Sequence, residues 1–248
     1  MSKLADRIRK VSKVEPAPLG FAAAAARRTA PTLLCLVRLS QGDAGRVEEA
    51  AKKGADAVIL DGVDPARLKE PKAKAGEAVL GIGAAGAERE RIAALRDAGA
   101  EFAVFELNSA MADALLEEKI GIVLSIDGDC DDTTLRLLGD LGPEALVVTS
   151  PDGPLTIRDL LKLRRVAALA RTPLLTSVRP DAAPGHLQAL RESGVAGVIV
   201  DSAAIGKLEG LRERIAALPP RGKRAEEKAE AVLPAASMSP TSEDEDDE

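Results

Sequence analysis

Three stretches of the chain repeat one pattern of polar and apolar positions: Gly54 to Leu60, Gly99 to Phe105 and Gly194 to Val200. Each follows a charged segment whose apolar residues recur three and four apart, the spacing of a helix with one buried face. Glycine is the usual helix stop. The run after it is apolar at nearly every position, as a strand must be when helices cover a parallel sheet. Helix, glycine and buried strand, repeated, predict an α/β fold on parallel strands.

Followed along the whole chain, the pattern predicts eight strands, at 32–39, 55–60, 78–82, 101–106, 121–126, 145–148, 173–178 and 196–200. Helices are expected at 44–53, 88–97, 157–170, 186–192 and 205–218, and another starting near Thr133 behind Asp131 and Asp132 as caps. Residues 3–13 read as a short basic helix with Leu4, Ile8 and Val11 on one stripe. Its bland destination is the domain surface, and its sharper one a membrane surface. Glu15-Pro16-Ala17-Pro18 breaks it, and helix resumes over 21–28. Eight strand–helix units within 22–218 predict a compact (β/α)8 TIM barrel, near the lower limit of about 200 residues for that fold. A doubly wound sheet is the rival, and strand count and even spacing favour the barrel. The predicted organisation is an N-terminal helical extension over 1–21, the barrel over 22–218 and a disordered acidic tail over 219–248.

Composition sharpens this picture. There is no Trp or Tyr and only three Phe, so Ala, Leu, Val and Ile must fill the core. The same poverty removes the aromatic platforms on which single-stranded nucleic acid stacks. The formal charge is -6, and 219–248, with nine acids and four bases, supplies -5 of it. A nearly neutral body offers no electrostatic footprint for DNA or an acidic membrane. The tail could contact a basic partner or simply aid solubility. Cys35 and Cys130 lie far apart and read as a buried small residue and a loop thiol, and His186 is the only histidine. No signal or membrane span is expected, so the reading is cytoplasmic, with self-association left open.

A barrel carries its chemistry at the carboxyl ends of its strands. Those ends present Arg38, Asp61, Glu106, Asn108, Asp127, Arg179 and Asp201, four carboxylates and two guanidiniums on one rim. Unpaired buried charge is costly, so the rim is either a salt-bridged network or a binding site. Asp61, Glu106 and Asp127 are the candidates for acid–base work. They would also suit Mg²⁺, which needs one or two carboxylates plus substrate oxygens, although no metal-ligating set is assigned. The absence of Lys and His from these ends disfavours Schiff-base and imidazole chemistry. Asp127 to Asp132 looks like a cation loop, but Asp132 and Leu138 stand where an EF-hand needs Gly and Glu.

The stretch Gly194 to Ile205, with its Asp201-Ser202-Ala203 turn, resembles the last strand of phosphate-binding TIM barrels of the ribulose-phosphate-binding type. Gly54 to Gly62 resembles a second strand of that group. The resemblance implies a phosphate held by the backbone N–H groups of Ser202 and Ala203, with Arg179 adding a fork. It also implies an isomerase, epimerase or lyase acting on a small phosphorylated metabolite. Two features depart from that type: Asp201 replaces the glycine before the serine, and Arg38 stands on the first strand where some members carry Asp. An alternative is a non-catalytic barrel that scaffolds or binds small molecules. A third is a dinucleotide-binding oxidoreductase, because Gly81-Ile82-Gly83-Ala84-Ala85-Gly86 is a literal G-x-G-x-x-G with Glu106 twenty residues on.

Overall fold

The computed structural model describes residues 2–12, 32–40, 43–149 and 154–219. The helix expected at 21–28, Ser150 and all of the tail beyond Pro219 lie outside the described residues. Eight parallel strands close into a barrel in sequence order: β1 (Leu34–Ser40), β2 (Ala57–Asp61), β3 (Val79–Gly83), β4 (Phe102–Glu106), β5 (Gly121–Ile126), β6 (Ala145–Val148), β7 (Leu174–Ser177) and β8 (Val195–Asp201). Pairing of β1 with β8 excludes the doubly wound rival.

The helices are α1 (Lys3–Ser12), α2 (Ala44–Lys52), α3 (Lys69–Lys74), α4 (Arg89–Asp97), α5 (Asp132–Asp140), α6 (Ile157–Ala170), α7 (Pro184–Glu192) and α8 (Leu208–Ala216). The sequence marks their starts. Asp43 accepts from the Gly45 N–H to cap α2, and Asp131 accepts from Thr133 and Thr134 to cap α5. Thr156 and Asp159 form a reciprocal capping box on α6. Gly54, Gly99 and Gly194 take φ of 86°, 113° and 96°. That is the left-handed turn only glycine enters freely, and it explains the repeat. Between β4 and β5 the chain forms only a short 3-10 turn, Ala112–Leu116.

Side chains alternate along a strand, so every second residue points into the barrel. One apolar layer set lies between sheet and helices. A second fills the barrel, with Leu34, Leu36, Ile59, Phe102, Val104 and Ile199 among its members. Leu4, Ile8 and Val11 of α1 belong to this inner cluster. The amphipathic stripe therefore plugs the amino end of the barrel and has no membrane-facing role. Polar groups ring the plug. Lys3 pairs with Glu101 at 2.6 Å, Arg7 with Asp56 at 3.3 Å, and the Ser2 N–H donates to Glu144 at 3.1 Å. Those three acids each immediately precede a strand.

Candidate functional site

Continuing the inward alternation past the apolar layers gives the polar end of the barrel. Leu34 and Leu36 lead to Arg38, Ala57 and Ile59 to Asp61, Phe102 and Val104 to Glu106, and Ile199 to Asp201. The Arg38 guanidinium forks onto Asp61, with Nε at 2.7 Å and Nη2 at 3.1 Å from the two carboxylate oxygens. Asp201 lies opposite Arg38 in the β1–β8 register. The Asp61 hydrogen bond holds the Arg38 pKa above its ordinary value. Burial opposes this, and the charges of Asp61, Glu106 and Asp201 reinforce it. One cation is thus surrounded by three carboxylates.

Space at this end is set by glycine. A Cβ on Gly83 would stand 2.1 Å from Asp61 Oδ1, so the bare backbone of β3 leaves room for the fork. A Cβ on Gly81 would fall 2.1 Å from the Phe102 ring, which is buried in the inner cluster. Gly81 and Gly83 lie inside β3, and the next helix starts at Arg89. The glycine motif therefore does not follow its strand and open a helix. Packing accounts for its first two glycines, and a left-handed φ of 62° for Gly86.

The rim carboxylates differ in their commitments. Asp61 is taken by Arg38. Glu106 is exposed and accepts from the Ser109 hydroxyl at 3.3 Å. Asp201 is exposed, and its carboxylate makes no hydrogen bond or ion pair among the described residues. Asn108 is exposed on the turn after β4. Asp127 is exposed and is not among the charges acting on Arg38; it lines a separate cleft of about 180 Å³ with Thr149, Asp159 and Lys162. Arg179 is forked onto Asp181 at 3.1 Å on its own exposed loop. Ser202 and Ala203 open a 3-10 turn, Ser202–Lys207, with Asp201 in the capping position.

The sequence reading missed Arg46. Its Nη2 donates to the Ser202 carbonyl at 2.8 Å across 156 residues. Only closure of β1 against β8 brings α2 beside that turn, so adjacency around the barrel was the available signal. Neither thiol is in a disulfide. Burial pushes the Cys35 pKa up to about 12, with Asp56 adding and Arg212 opposing. Among the described residues, no group of three or more His, Cys, Asp or Glu side chains is placed to hold a metal ion.

A closed eight-stranded parallel barrel, charged at the carboxyl end, defines the class of molecule. No protein-family model matches the chain, and no curated protein does either. Solved structures do. The alpha subunit of tryptophan synthase from the hyperthermophile Pyrococcus furiosus, in a mutant form, superposes with a TM-score of 0.58 at 15% identity, covering 73% of this chain and 96% of that one. Tryptophan synthase from M. tuberculosis, in an open form with a bound compound, gives 0.58 at 13% identity, covering 79% and 95%. The likeness is one of fold, the closed eight-stranded parallel barrel. No helix among the described residues is long and apolar enough to cross a membrane.

Proposed function

We propose that the chain is an enzyme of the isomerase, epimerase or lyase class, moving a proton at the carboxyl end of the barrel. The observation that carries this reading is the contrast in pairing around Arg38. Glu106 and Asp201 stand solvent-accessible beside one guanidinium, yet neither bonds to it. A free carboxylate is a competent general base when a substrate C–H is within reach. Glu106 takes the proton, the bond pair moves onto the substrate carbonyl, and Arg38 Nη1, which donates no hydrogen bond among the described residues, faces the developing negative oxygen. Asp201, protonated from solvent, gives a proton to the product carbon, and Glu106 releases to solvent the one it took. Asp61 holds the guanidinium in place. Asp127, in its separate cleft, takes no part in this step.

A small phosphorylated metabolite is the first substrate class to test. Arg46 beside the Ser202 turn and Arg179 on the preceding loop bring positive charge to that side, and the Asp201 carboxylate opposes it. The fold-level likeness to tryptophan synthase alpha subunits supports a lyase-type barrel and carries no substrate. The test is proton exchange. The protein is incubated in D2O with a panel of phosphorylated carbonyl compounds, and loss of C–H signal is followed by NMR. The expected result is exchange and conversion with at least one compound: Glu106→Gln loses both, and Asp201→Asn loses conversion while Glu106 still exchanges the C–H. Exchange that survives Glu106→Gln, or conversion that survives Asp201→Asn, would overturn the assignment. The closed Arg38–Asp61 fork favours a second reading, binding without turnover; ligand-induced thermal shifts with no exchange would select it.

A further inference from the structure

Away from the barrel mouth, the outer face of α6 carries an unusual combination. Its exposed stripe runs Ile157, Leu161, Arg164 and Ala168, four, three and four apart, so these residues share one side of the helix. Ile157 is 78% exposed and Leu161 60%. From Ile157 to Arg171 there are five basic side chains and a single acid, Asp159. Lys162 and Arg165 are engaged by Asp129 at 2.8 Å and Asp132 at 2.6 Å. Asp159 is used in the capping box. Arg158, Arg164 and Arg171 are left exposed, with no ion pair among the described residues, and Arg136 on the adjoining α5 is in the same state. The one exposed acid of α5 not engaged by a base is Asp140.

We propose that this face docks the acidic C-terminal segment of the same molecule, residues 220–248. The two are complementary in kind. The segment ends in six consecutive acids, Glu243 to Glu248, and carries Val232, Leu233 and Met238 ahead of them. Apolar residues followed by carboxylates match a face of Ile and Leu set among unpaired arginines. The chain also starts from the right place. Pro219 is tied down by Arg191 at the end of α7, whose Nη1 donates to its carbonyl at 2.6 Å. The next helix around the barrel is α6, about 10 Å away. Its far end lies about 20 Å along its axis. The 23 residues between Pro219 and Glu243 reach about 75 Å when extended and average about 25 Å as a flexible chain. A tether of that length holds the acids near the face at an effective concentration on the order of millimolar.

The test uses the full chain, labelled with 15N, and follows the backbone amide signals of Glu243 to Glu248. Docking predicts shifted, broadened signals at about 0.01 M salt that sharpen and move to free-peptide positions at about 1 M, where the screening length falls to roughly 3 Å. It predicts the same release at low salt in Arg158→Glu/Arg164→Glu, and partial release in Leu161→Ser. All three sites are exposed, so the variants fold. Signals that are identical in the wild type and the double variant at low salt would overturn the proposal. So would a broadening that fades on dilution, which would place the segment on a second copy.

Discussion

The two ends of this barrel are built from the same residue types and use them in opposite ways. At the amino end, Asp56 accepts from the Cys35 N–H at 2.8 Å, from Arg212 at 3.1 Å and from Arg7 at 3.3 Å. Glu101 takes Lys3 at 2.6 Å and Lys72 at 2.7 Å. Every carboxylate named there is bonded, and α1 seals the opening with three buried apolar residues. At the carboxyl end, one arginine serves three carboxylates and bonds to one. Satisfied charge fixes structure; charge left available at an accessible end is what a ligand can use. The comparison separates residues that should cost stability from residues that should cost chemistry.

The sharpest way to break it is to unseal the amino end. Leu4 and Ile8 are 0% and 3% exposed inside the barrel cluster. Leu4→Ala should destabilise by about 2–5 kcal/mol, and adding Ile8→Ala should deepen the loss, both read as a lowered urea midpoint. A change under about 0.5 kcal/mol would mean that α1 is an appendage and that the plug is misread. Opposite in place, Arg38→Met removes the cation that, among the described residues, bonds to Asp61. We expect a loss of about 1–3 kcal/mol from the unpaired carboxylate. Arg38→Lys should recover little of it, because an ammonium cannot fork.

How much of this was legible in the chain follows from where each signal is written. Strands β5 and β6 and helix α6 have the bounds that their apolar runs and caps predict, because both are local. Helix α3 was missed: Lys69 to Lys74 is mostly charged, with Pro71 its only buried residue, so it has no stripe to read. The stripe of α1 was visible but not its destination, since Lys3 meets Glu101 98 residues away and Ser2 meets Glu144 142 away. The rim divided in the same manner. Strand alternation carries Arg38, Asp61, Glu106 and Asp201 to one end. Asp127 and Arg179 sit just past their strands, where loops decide direction, and they went to a separate cleft and a local fork.

Acid titration distinguishes the ends with a smaller effect. Burial pushes the Glu101 carboxyl up, but hydrogen bonds from Lys3 and Lys72 outweigh it, and the group titrates below its ordinary 4.5. A carboxyl depressed in the folded state contributes stability that is full above its unfolded pKa and is lost as pH falls through the folded one. Urea midpoints of the wild type should therefore drop as pH falls below about 4.5, and Glu101→Gln should flatten part of that slope while lowering stability near neutrality. A slope unchanged by the substitution would remove Glu101 from the sealing ring.

The smallest expected change in stability belongs to Asp201→Asn, and it is the most informative of the set. Asp201 is exposed, bonds to nothing among the described residues, and adds a third negative charge around a guanidinium already taken by Asp61. Removing that charge takes away repulsion from Asp61 and Glu106 and a weak attraction to Arg38. The two nearly cancel, leaving a shift within about 0.5 kcal/mol of zero. The same substitution should abolish product formation, because an amide cannot give a proton to carbon, while Glu106 still exchanges the substrate C–H. Stability retained with conversion lost would mark a residue kept for chemistry. A loss above about 1 kcal/mol would show that Asp201 carries structure after all, and that the two ends differ less than their hydrogen bonds indicate.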